Sequence, residues 1–155
     1  MKIEGKTALI TGGAHRVGRA ITMTLARAGA NVVVDYYSSD AAARQTAQDA
    51  EALGVGALAV QADVGHLEQV RALVAAAADR FGALDILVNS ASIWKKTPMP
   101  MGDFADWHRV FGLLTDGCMY LADAVAPMML ERGEGAIVNI VDLSAYTPFR
   151  GFIAH

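Results

Sequence analysis

The stretch TALITGGAHRVGRA, residues 7–20, decides the fold. A short apolar run over residues 7–11 ends in a glycine-rich turn, after which Val17, Ala20, Ile21, Thr24 and Leu25 recur at helical spacing over residues 17–28. Gly29 stands where a helix ending in a left-handed C-cap would place it. In a strand–turn–helix unit of this kind, glycines let the backbone turn tightly. The unpaired N–H groups and positive dipole of the helix start then face any bound pyrophosphate. Gly12 and Gly18 mark the two ends of the turn. Any βα loop can carry such a composition, so the turn has to be weighed with its surroundings.

Outward from that unit the pattern repeats. Residues 31–36 and 57–61 read as second and third strands, separated by a helix over residues 40–53 that opens on Asp40 and stops before Gly54. A helix over residues 66–81 ends at Gly82, and a fourth strand, residues 84–88, runs into the polar turn Asn89, Ser90, Ala91, Ser92. A long helix is expected over residues 103–131, kinked or restarted at Pro127 because proline lacks the N–H and clashes with the preceding turn. Residues 136–141 read as a fifth strand buried on both faces, followed at once by Asp142. Strands alternating with helices give an α/β fold: a Rossmann-type doubly wound parallel sheet in three αβα layers, with five readable strands in one domain spanning residues 1–155.

Bulk properties narrow the function. Thirteen Lys and Arg against sixteen Asp and Glu are scattered along the chain, so there is no basic stripe for a nucleic-acid partner. Although 54% of residues are apolar, no uninterrupted run approaches the roughly 20 residues of a membrane span, and no membrane association is expected. The N-terminus has no secretory pattern, and the single Cys118 has neither a disulfide partner nor a metal-spaced companion. A cytoplasmic protein without a metal site, acting on a small molecule, is the expectation.

The turn is neither GxGxxG nor GxxxxGK[ST]. It resembles the TGxxxGxG loop of the short-chain dehydrogenase/reductase family, with Gly12 and Gly18 matching and Arg16 in the middle glycine position, as in the pteridine reductase branch. Asp63 and Val64 are similar to the family's adenine-contacting pair. NSAS at residues 89–92 resembles its NNAG motif, and GAIVNIVD at residues 135–142 resembles its strand leading to the active site. The resemblance implies a nicotinamide cofactor held by Gly12, His15, Arg16, Val17, Gly18, Tyr36, Ser38, Ser39, Asp63, Val64, Asn89, Ser90 and Ala91.

The end of the second strand, VVVDYYSSD, bears on which cofactor. The family's NAD-selecting aspartate falls on Tyr36, and alternation along the strand turns Asp35 to the other face. Ser38 and Ser39 supply donors and His15 and Arg16 basic groups, so NADP(H) is favoured. Were Asp35 to hold a ribose instead, NAD(H) would be the cofactor.

The family's catalytic serine position holds Asp142, as in pteridine reductases, and its tyrosine falls on His155, with Pro148 and Gly151 in register between them. Both are taken as catalytic candidates. Asp142 can equally cap a turn, and His155 can equally be a frayed end. Tyr146 and Arg150 are rejected as a substitute pair because Pro148 lies between them. The family's lysine and last elements would follow residue 155, so a truncated product or an incomplete segment is expected, possessing the cofactor turn with or without turnover.

Trp94 occupies the place of an aromatic that stacks on pterin, with core packing as its alternative. Arg16 and Ser92 join it as substrate-facing candidates. Leu114 takes the position of a family asparagine that serves a proton relay. By resemblance the full-length form is a homo-oligomer, dimer or tetramer. Trp107, Phe111, Leu114, Met128 and Met129 are available to its interface or to the core.

Overall fold

The computed structural model describes residues 1–147 and 149–155, so the register match at Pro148 lies outside the described residues. Five parallel strands, β1 (Thr7–Ile10), β2 (Asn31–Tyr36), β3 (Ala57–Gln61), β4 (Ile86–Asn89) and β5 (Ala136–Asn139), form one sheet in the order β3-β2-β1-β4-β5. Helices α1 (Arg16–Arg27), α2 (Asp40–Glu51), α3 (Leu67–Phe81), α4 (Ala105–Phe111) and α5 (Gly117–Arg132) connect them. The chain leaves β1 toward β2 on one side and later returns to place β4 on the other. This leaves a crevice at the carboxyl ends of β1 and β4, where open sheets of this kind bind ligands.

Burial follows from sequence at the centre. Leu9, Val33 and Leu87 pack on one face of the sheet with Leu73 of α3 and Leu121 and Val125 of α5, whereas Ala8, Ile10 and Val32 pack on the other with Met23 and Ala26 of α1. Gly82 ends α3 with φ 79°, as its position predicts.

Two expectations are corrected. Pro127 does not restart the long helix, because α5 runs through it from Gly117 to Arg132. The irregularity lies upstream, where residues Gly112–Asp116 form a π-helical turn between α4 and α5. A π turn adds a residue without ending the helix. By length and composition the continuous stretch Ala105–Arg132 is also apolar enough to cross a bilayer, which counting uninterrupted apolar runs overlooks. Here Leu121, Val125 and Met129 bury themselves against the sheet and α3.

The second correction concerns β5. It is not buried on both faces: Ile137 and Val138 are 41% and 45% exposed, because β5 is the edge strand, paired only with β4 among the described residues. Its composition is that of a central strand, and its position is that of an edge.

Candidate active site

The turn after β1 is built by close backbone contact. A Cβ on Gly18 would lie 2.1 Å from the Gly12 carbonyl oxygen, and one on Gly12, whose φ is 61°, would come within 3.1 Å of Ala91 Cα. Both positions therefore need glycine. Arg16, in the family's middle glycine position, adopts φ 45°, the left-handed backbone that glycine takes without strain. Thr22 Oγ1 donates to the carbonyls of Gly18 and Gly13 at 2.9 and 3.3 Å, bracing the turn. Thr11 Oγ1 accepts the N–H groups of Ser90 and Ala91, both at 2.9 Å, and so ties the β1 and β4 loops together. Among the described residues no side chain caps α1 and no acid sits in its first turn, which leaves the positive helix end open toward the crevice.

The crevice has two lobes that share Gly12, His15, Ala91 and Ser92. One, of about 370 Å³, is also lined by Tyr36, Ser38, Ser39, Asp63 and Val64. The other, of about 610 Å³, is also lined by Arg16, Val17, Gly18, Ser90, Trp94, Asp142 and His155. Of the cofactor, substrate and catalytic candidates from the sequence, Asn89 alone lines neither lobe. It faces an adjoining cavity of about 490 Å³, where its Nδ2 donates to Asn139 Oδ1 at 2.8 Å and fastens the end of β4 to β5.

Asp35 does not turn away from the site. It lines the smaller lobe, 2% exposed, and accepts the Gly12 N–H on Oδ2 at 3.3 Å. Alternation along β2 fails as a guide here because the glycine turn crosses the strand end. Gly13 donates to the Asp35 carbonyl, and the lobe wraps around both faces of the strand tip. Burial pushes the Asp35 carboxyl up to about 7, with the Gly12 N–H opposing and the neighbouring Asp63 charge adding to the rise. Tyr36 also lines the lobe, with its hydroxyl bonded to Asp40.

Three further residues of this lobe, Tyr37, Arg109 and Leu113, carry no signal in the sequence that marks them for the site. Arg109 meets Asp63 across 46 positions of chain, a separation that no local pattern reveals.

In the larger lobe Trp94 is 54% exposed, so it is not a core residue. One face of its indole stacks on Phe152 with ring centres 4.4 Å apart, and His155 meets it at 4.4 Å in an edgewise contact. The segment carrying Phe152 and His155 is held against the loop after β4. Thr97 N–H donates to the Gly151 carbonyl at 2.8 Å, and Ala154 N–H donates to Thr97 Oγ1 at 3.0 Å.

Asp142 accepts the Ser144 N–H at 2.7 Å and caps the turn Leu143–Ala145. That hydrogen bond holds its carboxyl below the usual carboxylate range, so at neutral pH Asp142 is an acceptor. His155 is not frayed: its Nδ1 lies 3.4 Å from Ser144 Oγ and its Nε2 is buried without a partner among the described residues. Tyr146, by contrast, is 84% exposed just beyond the short helical turn. Leu114 and Cys118 line the adjoining cavity, where burial pushes the Cys118 thiol up and keeps it neutral.

The family model for short chain dehydrogenases matches residues 6–154. The chain belongs to that family. Within it, the chain is 34% identical over 142 residues to the 3-oxoacyl-[acyl-carrier-protein] reductase of Synechocystis, covering 92% of this chain and 58% of that protein. An uncharacterized oxidoreductase of Methylorubrum extorquens is 40% identical over 139 residues, covering 90% of this chain and 55% of the relative. Among solved structures, 7α-hydroxysteroid dehydrogenase complexed with NADH and 7-oxo glycochenodeoxycholic acid superposes with a TM-score of 0.92 at 33% identity, covering 99% of this chain and 59% of that one. The chain thus spans a little over half the length of the short-chain dehydrogenases it matches.

A nicotinamide dinucleotide fits the residues present. The turn is filled so closely by backbone that an added Cβ would collide, the helix end above it is uncapped, and a lobe opens on either side.

Proposed function

We propose that this chain forms the nucleotide-binding half and part of the catalytic cleft of an NADP(H)-dependent short-chain reductase, acting on the carbonyl or imine of a small, planar, pterin-like substrate. The observation that carries this is the backbone-packed turn between Gly12 and Gly18, set between two lobes at the sheet's switch point. The pyrophosphate belongs at Gly12, Val17 and Gly18, the adenosine in the lobe of Asp63 and Val64, and the nicotinamide in the lobe of Ser90, Asp142 and His155. A bound reduced nicotinamide supplies hydride, and the product atom then needs one proton.

NADP(H) over NAD(H) is supported by the strand tip. Tyr36 stands where a ribose-binding acid would, and Ser38, Ser39 and His15 rim the lobe. The carboxyl of Asp35, pushed up to about 7, opposes a 2′-phosphate less than an ordinary aspartate does. Titration with both reduced cofactors tests this. NADPH is expected to bind at least about tenfold more tightly, a difference of about 1.4 kcal/mol, and a clear preference for NADH overturns the assignment.

The substrate side rests on Trp94 and Arg16, which line one lobe with Ser92. Since Phe152 covers one indole face, a planar substrate has the other face available or displaces Phe152. Proton delivery falls to His155, which lines the same lobe as Asp142.

Two observations favour binding without turnover. Asp142 is committed to capping Ser144, and a histidine stands in the family's tyrosine position. NADPH oxidation with dihydrobiopterin or a diketone separates the two readings: turnover supports the reductase, and saturable NADPH binding with no turnover supports the binding module.

Assembly into a dimer or tetramer in a cytoplasmic setting completes the proposal. Met129 is buried in the core, while Trp107 and Phe111 stack on each other at the partly exposed surface of α4, where a second copy would meet them.

A further inference from the structure

The carboxyl of Asp35 is bonded to the phosphate-binding turn and has no countercharge among the described residues. It is 2% exposed, its Oδ2 accepts the Gly12 N–H at 3.3 Å, and its Oδ1 is buried without a partner among those residues. The charged groups around it are engaged with one another. Beyond β3 stands Asp63, a like charge, whose two oxygens hold Nη1 of Arg109 from α4 at 2.9 and 2.8 Å, with His66 Nε2 3.6 Å from its Oδ2. On α2, Asp40 holds Arg44 and the Tyr36 hydroxyl. His15 on the turn and Tyr37 complete the ionisable lining of the lobe. A carboxylate taken out of water without a countercharge keeps its proton, and burial pushes Asp35 up to about 7. Near neutral pH the group is therefore divided between a charged and a neutral form.

We propose that Asp35 couples nucleotide binding to the uptake of a proton. The inference rests on the nucleotide-binding reading of the turn and holds for NADPH and NADH alike, because both carry a pyrophosphate. That group brings negative charge to the turn whose Gly12 N–H Asp35 holds. Like charges about 10 Å apart at an effective dielectric of about 20 weaken each other's binding about tenfold. A neutral carboxyl removes the repulsion while Oδ2 keeps Gly12 in place, and Oδ1 is the oxygen free to hold the proton. Asp35 is thus a positioning residue whose charge sets affinity. The free chain loses this proton near pH 7, and the complex holds it about tenfold more tightly. Affinity is then level well below pH 7 and falls about sixfold between pH 6.5 and 8.5, and binding at pH 7.5 takes up about half a proton.

The test is calorimetric titration of the whole chain with NADPH at pH 7.5 in PIPES and in Tris, whose different ionisation enthalpies turn proton uptake into a difference in observed heat. About half a proton per nucleotide is expected, and an uptake below about 0.1, or a proton released, overturns the inference. NADH, which has no 2′-phosphate to titrate, is expected to give the same uptake. Uptake confined to NADPH assigns the proton to the ligand and overturns it. Histidine is the other residue type that changes charge near neutrality, so His15→Gln is expected to keep the uptake and Asp35→Asn to lose it. If Asp35 only braces the turn, Asp35→Asn weakens binding but retains both the uptake and the fall in affinity between pH 6.5 and 8.5, which is contrary. Should Asp35→Asn fail to fold, Asp35→Ser keeps an acceptor for Gly12 and carries the same expectation. If the unmodified chain, folded by circular dichroism, binds neither nucleotide, the nucleotide-binding reading itself falls, and this inference with it. Binding without proton uptake leaves that reading standing and removes this inference alone.

Discussion

Replacing Asp35 with asparagine should stabilise the chain at high pH and lose that benefit at low pH. The Asp35 carboxyl is 2% exposed, its Oδ1 has no partner among the described residues, and Oδ2 has only a long bond from Gly12. Burial raises its folded-state value from 3.8 to about 7. Below 3.8 both folded and unfolded chains hold the proton, and the group is neutral in its effect. Between 3.8 and about 7 the unfolded chain ionises while the folded one does not, so stability falls as pH rises. Above about 7 the cost levels off. At about 1.4 kcal/mol per pH unit it amounts to roughly 4 kcal/mol. The substituted carboxamide does not titrate, and its oxygen can still accept from Gly12. Its NH2 group lacks an obvious acceptor, which costs about 1 to 3 kcal/mol at every pH. The stability difference, variant minus parent, should therefore climb by about 4 kcal/mol between pH 4 and pH 8, whatever that fixed offset is. Urea unfolding followed by circular dichroism at pH 4, 6 and 8 measures it. A difference that stays flat or declines with pH refutes the buried-carboxylate account.

Gly18→Ala should abolish tight NADPH binding, by more than about tenfold, with the far-ultraviolet spectrum intact, because the new Cβ would sit 2.1 Å from a backbone oxygen that cannot rotate aside. Unchanged affinity in a titration would contradict the packing of the turn. Arg16→Gly should relieve the left-handed backbone at φ 45°; set against glycine's entropy, the net gain is under about 1 kcal/mol. A thermal melt that moves downward would speak against strain at this position. Trp94→Ala removes the stack on Phe152 and should loosen the segment it holds. Faster proteolytic cleavage between residues 149 and 155 and weaker dihydrobiopterin affinity are the expected readouts, and wild-type values for both would remove Trp94 from the site.

The order of strands and helices is legible because each unit carries its own punctuation. Gly12 and Gly18 bound the first turn, Gly29 and Gly82 stand at helix ends with positive φ, and β-branched runs mark β2 and β4. Local pattern fails where tertiary context outweighs it. The residues of β5 read as those of a central strand, but which strands flank it is not a local property. Pro127 permits a restart by local rules, yet α5 continues through it, and a π turn at Gly112–Asp116 is not signalled by any local pattern. At the site, the positions matched by motif gather around the crevice, with Asn89 displaced to its edge. Asp35 is visible as an acid ending an apolar strand, and strict alternation misplaces it because the Gly12 turn folds over the strand tip. Arg109 has no such signal, since it meets Asp63 only across 46 positions of folded chain. His155 sits with Trp94 and Ser144 through the backbone pairing at Thr97, a contact that spacing from Asp142 could not reveal.

The central claim, that the Gly12–Gly18 turn and its two lobes bind a nicotinamide dinucleotide, is tested most directly by calorimetric titration of the purified chain with NADPH and NADH at neutral pH. Saturable binding of one nucleotide per chain, tighter for NADPH and lost in Gly18→Ala, is the predicted result. Absence of saturable binding for either nucleotide by a chain that melts cooperatively would contradict it.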